Sequence, residues 1–252
     1  MKNQTENVTE ENIRRRTFLS FAAFAALGAG GVGAWRWFRN QPKTDKRLSA
    51  LNRKVLDFNE KVNNKLFDPN HLAPTYPVSM ASIKPRANGK DGLKTPLNID
   101  EWRLNIDGFD KTITLNDIKA LSKQELIFEF KCVEGWSQIV HYGGVRFSDF
   151  LKKYNLGINP DTNEPFKYVG LATPDGKYYV GIDMKTVLHS QTLLAFELNG
   201  QPLPDKHGAP LRLITPLKYG VKNLKRIGRL FFSETPPPDY WHRQGYDYDL
   251  AL

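Results

Sequence analysis

The sequence predicts an α+β protein of mixed β-sheets and short helices, preceded by a separate N-terminal segment. Three observations carry this expectation. Apolar stretches of five or six residues, bounded by Gly, Pro, Asn and Asp, recur from residue 99 onward. Helical periodicity beyond that point lasts only a turn or two. A 17-residue uncharged run, Phe18–Ala34, stands apart near the N-terminus.

In chain order, the first feature is an address. Arg14, Arg15 and Arg16 precede the mildly apolar run, and Trp35, Arg36, Trp37, Phe38 and Arg39 close it. Adjacent arginines before such a run read as a twin-arginine export signal, and the flanking aromatics suit an uncleaved membrane anchor equally well. Residues 1–40 are therefore read as signal or anchor, with the remainder periplasmic or otherwise extracytoplasmic, tethered to the inner membrane if residues 14–39 are retained. The twin-arginine route carries folded proteins, so it favours a cofactor loaded before export.

Residues 41–84 are read as a helix and a connecting arm, and 85–252 as the catalytic domain. From Lys46 to Leu66, apolar Leu48, Leu51, Val55, Phe58 and Val62 recur at spacings of three and four, predicting a helix packed on the domain by that stripe. Residues 67–98 carry prolines, glycines and asparagines without periodicity and read as an ordered arm. Trp102–Ile106 alternates as a strand, Asp107-Gly108 turns, and Leu115–Leu121 suits a short helix. Leu126–Phe130 is an apolar strand leading to Cys132. Ser148 is an expected N-cap for a helix through Tyr154, stopped at Gly157. Tyr168–Ala172 and Tyr178–Ile182 flank Pro174-Asp175-Gly176 as a hairpin, and Asp183 caps another short helix. Leu193–Leu198, the Asn199-Gly200 turn and Leu211–Thr215 add strands.

The 252 residues are 40% hydrophobic and 12% aromatic, an ordinary globular balance, with a net charge of +9. Basic charge suits nucleic acid, an anionic membrane or an anionic ligand, and an export signal removes nucleic acid from the choice. Seven Lys or Arg and no acid lie between Lys206 and Arg229, interleaved with glycines, a composition suited to a phosphate or to a solvated charged face. Cys132 is the single cysteine, so no intramolecular disulfide forms. Three roles fit it: an inert core thiol, a nucleophile paired with His141, His189 or His207, or a soft metal ligand at a strand edge. His71 and His242 read as ordinary residues.

The segment Cys132-Val133-Glu134-Gly135-Trp136-Ser137 resembles the metal-ligand motif of the sulfite oxidase family of molybdopterin-dependent oxidoreductases, within it the bacterial periplasmic methionine sulfoxide reductase branch. His207–Arg212, Pro216–Lys225 and Lys167–Thr173 resemble that family's other cofactor segments, and the resemblance covers roughly residues 85–235. It implies a sulfite oxidase-type molybdopterin-binding domain and one molybdopterin per molybdenum, with Cys132 as the protein ligand to the metal. Thr173, His207, Arg212, Asn223, Leu224 and Lys225 would hold the pterin and its phosphate, and Asn88, after Pro85-Arg86, matches the asparagine of an N-terminal cofactor arm. At position 207 the reductase branch usually has Asn and the sulfite oxidases have His, so His207 does not place the chain in one branch.

The implied reaction is two-electron oxygen-atom transfer with a small-molecule donor or acceptor. Sulfoxides or N-oxides are the first expectation, sulfite oxidation the alternative, and a membrane-tethered anion-binding domain without catalysis the alternative of another class. Lys218, Tyr219 and Trp136 are candidates to line the substrate pocket. No C-x-x-C-H haem site occurs, so the resemblance implies a separate cytochrome or membrane haem/quinol-linked electron-transfer subunit. The short stretch beyond residue 235 leaves an immunoglobulin-like dimerisation domain unexpected.

Overall fold

The computed structural model describes residues 10–43, 48–68, 70–87 and 89–252. Asn88 and the expected start of the first domain helix at Lys46 lie outside the described residues. Among the described residues five α-helices, α1 (Glu10–Arg39), α2 (Ala50–Leu66), α3 (Leu115–Lys119), α4 (Phe147–Tyr154) and α5 (Met184–Leu188), accompany eleven strands. The strands are β1 (Asn105–Ile106), β2 (Lys123–Lys131), β3 (Ser137–Arg146), β4 (Ile158–Asn159), β5 (Glu164–Pro165), β6 (Tyr168–Ala172), β7 (Tyr179–Asp183), β8 (Leu193–Leu198), β9 (Gln201–Pro202), β10 (Arg212–Ile214) and β11 (Arg229–Ser233).

Two sheets organise the body, in the orders β1-β11-β6-β7 and β10-β8-β3-β2, with β9 paired to β8 and a small β4-β5 ribbon. Alternation along β8 divides the core. Leu194 and Phe196 join the larger apolar cluster with Phe147, Phe150, Leu171 and Ile227, while Leu193 and Ala195 join a smaller one with Phe128, Phe130 and Val140. The arm runs along the second sheet from residue 75 to 86, where Tyr76 N donates to Ile127 O at 3.0 Å, Ser82 N to Ile139 O at 2.9 Å and Arg86 N to the Gln138 side chain at 2.8 Å.

Turn and cap chemistry places several elements as read. Asp183 accepts from Thr186 N at 2.7 Å and starts α5. Asn199 and Gly200 both adopt positive φ, as a tight β8–β9 hairpin demands. Three elements differ from expectation. Helix α4 begins at Phe147, behind an Arg146 cap without a side-chain bond, so Ser148 lies inside the helix rather than at its cap. Strand β3, which the pattern did not announce, contains Gly143-Gly144 at a register shift, where a Cβ on Gly144 would stand 2.3 Å from Leu194 O.

The third difference is α2, which is capped by Ser49. Its expected apolar face points outward: Leu51, Val55, Phe58 and Val62 are 38%, 53%, 64% and 36% exposed. The half-buried residues are Asn52, Arg53, Leu56, Glu60 and Asn63, on the opposite side. Polar bonding decides the orientation, because the Arg53 guanidinium donates to His242 O at 3.2 Å and Tyr246 O at 3.1 Å. Helix α1 contains the one span among the described residues long and apolar enough to cross a membrane, Arg14–Arg39, and none of its most apolar window is buried.

Candidate active site

Cys132 continues the inward register of β2: Leu126, Phe128, Phe130 and Cys132 are buried, with Lys131 exposed beside Glu129. Beyond the strand the chain reverses tightly. Cys132 N donates to Trp136 O at 2.9 Å and Gly135 N to Cys132 O at 3.0 Å. Burial pushes the thiol up in pKa, while the backbone N–H of Glu134 and the nearby Arg86 act in the other direction. The tip is braced from outside: Trp136 Nε1 donates to Glu134 at 2.9 Å, and the Arg86 guanidinium lies 4.7 Å from the Trp136 ring centroid.

The cysteine, 5% exposed, opens onto two clefts. The inner one encloses about 660 Å³ including its mouth, and Cys132 shares its wall with Asn223, Lys225, Tyr178, Asp91 and Trp241. The outer cleft is lined by Cys132, Val133, Lys131, Trp136, Ser137 and Tyr219, with Gly135 at the turn. Lys218 is not among its lining residues. It is buried in an ion network with Asp183 and Asp249, both of which hold its ammonium charged against the cost of burial. That placement corrects its expected position at the substrate.

Five of the seven basic residues in the tract are buried: Arg212, Lys218, Lys222, Lys225 and Arg226. A solvated charged face is thereby excluded. Lys218, Lys222 and Arg226 pair with Asp249, Asp239 and Asp205. Arg212 donates to neutral acceptors instead. Arg212 holds Tyr142 Oη at 2.9 Å, His207 O at 3.0 Å and Asn223 O at 3.2 Å, while Lys225 Nζ reaches Gly89 O and Lys206 O, each at 3.1 Å.

These groups oppose one another's charge. Burial, then Arg212 and Lys225, bring His207 down to about 4. Burial and Arg212 bring Lys225 down to about 7, with Asp91 acting against the fall. The buried Arg212 Nε has no hydrogen-bond partner. A cluster of mutually repelling cations with an idle donor suits an anion such as a phosphate, which would relieve both. Gly208 lets the backbone close on it: at φ +102 a Cβ there would come within 2.7 Å of Lys225 Cβ.

The remaining expected residues divide. Asn223 stands in the inner cleft, its Oδ1 accepting from Thr215 N at 2.7 Å. Leu224 is fully buried in the core, and its backbone groups pair with Leu213 N and Lys222 O. Thr173 is buried beside the cleft residue Tyr178. Its hydroxyl donates to Asp175 at 2.7 Å and accepts from Tyr178 N at 3.2 Å. Among the described residues no histidine lines either cleft, which removes the geometric basis for a Cys–His nucleophile. Tyr178, Asp91 and Trp241 were missed in the sequence. Tyr178 Oη donates to Val221 O at 2.7 Å and accepts from Trp241 Nε1 at 3.0 Å, a link between segments 63 positions apart. The dense aromatics from Tyr240 to Tyr248 were the one available signal.

A family match and two sequence relatives agree with this chemistry. Residues 92–241 match the family described as oxidoreductase molybdopterin binding domain. A provisionally named protein-methionine-sulfoxide reductase subunit YedZ1 of Azospira oryzae is 40% identical over 81% of this chain and 76% of its own length. The protein-methionine-sulfoxide reductase catalytic subunit MsrP of Xanthomonas campestris pv. campestris is 28% identical over 96% of this chain and 77% of its own. Among solved structures, sulfane dehydrogenase SoxCD of Paracoccus pantotrophus matches with a TM-score of 0.49 and 22% identity, over 56% of this chain and 40% of that one.

Proposed function

Because this chain belongs to the oxidoreductase molybdopterin-binding domain family, we propose that it reduces sulfoxide-type or N-oxide-type small molecules with electrons from a separate redox partner. Its fold is the sulfite oxidase type, and it is a molybdopterin-dependent enzyme. The observation that carries the residue assignment is the shared wall of Cys132, Asn223 and Lys225, beside a cation cluster with an idle Arg212 donor.

In this reading Cys132 is the thiolate ligand to molybdenum, which suits a soft sulfur donor held rigidly at a strand end. Arg212, Lys225 and His207 receive the pterin phosphate, with Asn223 beside them and Thr173 behind the wall through Tyr178. Leu224 contributes by keeping the segment seated in the core, and Asn88 would add a contact from the arm. The bound cofactor supplies two-electron oxygen-atom transfer. The chain's own residues position it: Arg212 ties the 207–212 and 223 segments together through His207 O and Asn223 O, and to β3 through Tyr142 Oη. Lys225 and Arg226 hold the arm over the site through the carbonyls of Gly89, Leu93 and Thr95.

The outer cleft favours the sulfoxide over sulfite. A sulfite pocket needs several converging cations, whereas Lys131 is the one cation among the described lining residues and lies 3.7 Å from Glu129. Trp136 supplies an apolar wall, and the Tyr219 hydroxyl supplies a donor for an S=O or N–O oxygen, while Ser137 spends its own hydrogen on Glu129 at 2.6 Å.

Residues 1–40 are proposed as the twin-arginine signal or anchor, supported by the exposed apolar helix α1. Residues 41–84 are the helix and arm, and 85–252 the catalytic domain, in the periplasm. The electron donor is a cytochrome or a membrane haem/quinol-linked subunit.

The test is turnover of the molybdenum-loaded protein with reduced viologen against a panel of S- and N-oxides, beside sulfite oxidation. Methionine sulfoxide or a related oxide should consume viologen at one molybdenum per chain. Oxidation of sulfite with no oxide turned over would overturn the substrate assignment.

A further inference from the structure

We infer that α2 lies flat on the surface of an anionic lipid bilayer, its exposed stripe dipped among the headgroups, so that the domain is held against the membrane by a second contact beyond α1. The inference rests on the reading of α1 as a membrane segment. Leu51, Val55, Phe58 and Val62 fall within a sector about 60° wide at 100° per residue, and all four are exposed. Lys54, Lys61 and Lys65, likewise exposed, occupy the adjoining sector on one side. Apolar residues edged by lysines form the face that an anionic surface takes up, rings and methyl groups entering the boundary while ammonium groups reach the phosphates.

The occupant follows from the connection to α1. Ala50 N donates to Pro42 O at 3.0 Å, and Lys43 bridges to Ser49. Pro42 lies three positions beyond Arg39, the end of α1, a reach of at most about 11 Å. The first turn of α2 therefore starts within about 14 Å of the end of α1. Phe18–Phe38 as a helix is about 31 Å long, which matches the hydrocarbon thickness of a bilayer. Trp35, Trp37 and Phe38 then sit at one interface, and α2 begins at the headgroup layer beside them. The opposite side of α2 is already engaged with the domain through Arg53, so the stripe faces away from the body toward that layer.

The full chain is reconstituted in vesicles of phosphatidylethanolamine and phosphatidylglycerol, with and without acyl chains brominated near the glycerol. Phe58→Trp is compared with wild type and with Lys111→Trp on an exposed loop. The added emission of Phe58→Trp should be blue-shifted and quenched at least about twofold by the brominated lipid, as a ring about 5–10 Å into the boundary requires, whereas Lys111→Trp should be unaffected. Unquenched emission in a chain that sediments with the vesicles overturns the inference. So does a blue shift without quenching in a particle of doubled mass, which would mean that a second copy covers the stripe. An alkaline carbonate wash reports on α1 separately. Release by carbonate with quenching intact removes the anchor and keeps the α2 contact, retention without quenching does the reverse, and a chain that never sediments overturns both.

Discussion

Arg212 illustrates how a positive tract becomes a binding site when its charges are buried. Its three hydrogen bonds use both Nη atoms and leave Nε idle. Replacing it with Met strands the Tyr142 hydroxyl and two carbonyls, and unfolding in urea should reveal a loss on the order of 3 kcal/mol. Arg212→Lys keeps the charge but not the planar fork, so pterin content of the purified protein should fall while the fold survives. Cys132→Ser should lower viologen-dependent turnover by at least about 100-fold, the upper end of what losing a mere supporting partner costs a metal site, and leave part of the pterin bound. Full activity in that variant would remove Cys132 from the metal. The basic tract was legible as an anion-binding composition. Which of its members were already neutralised by Asp249, Asp239 and Asp205 was not, because those acids arrive from outside the tract.

At the level of elements, legibility followed local chemistry. The β6–β7 hairpin was readable because Pro174-Asp175-Gly176 can do little but turn, and α5 because Asp183 caps it. Strand β3 was hidden because it carries two glycines at a register shift and is buried toward both sides, so no polar–apolar alternation marks it. The α2 stripe had the right period and the wrong destination, since periodicity names a face without naming what covers it. Lys218 ties the start of α5 to the C-terminal segment through Asp183 and Asp249. Lys218→Met takes the counter-charge from buried Asp249 and from part-buried Asp183, which keeps only its Thr186 hydrogen bonds, and should cost about 3–5 kcal/mol. Turnover per folded molecule should be unchanged, because Lys218 lines neither Cys132 cleft. A selective rise in KM with stability intact would restore it to the substrate pocket.

Across the whole molecule, acid sensitivity should trace to the cation cluster. The His207 imidazole has a folded-state value of about 4 against an ordinary 6.5, because burial and Arg212, Lys225 and Lys206 disfavour its charge. Between those values the unfolded chain binds the proton and the folded chain does not, so stability rises with pH. This contribution is present above 6.5 and is lost as pH falls toward 4. Melting temperatures from pH 4 to 7 should therefore fall more steeply on the acid side in wild type than in His207→Gln, and equal slopes would refute the assignment. The tip between β2 and β3 has a consequence of its own. One wall of the sulfur's surroundings is built by the 220–225 region, the other by a five-residue turn and Tyr219. Swapping residues 135–137 alone, which line the outer cleft and not the inner one, should thus retool which oxidised molecules are accepted with the inner wall untouched, a separation that lets such a scaffold diversify its clientele cheaply.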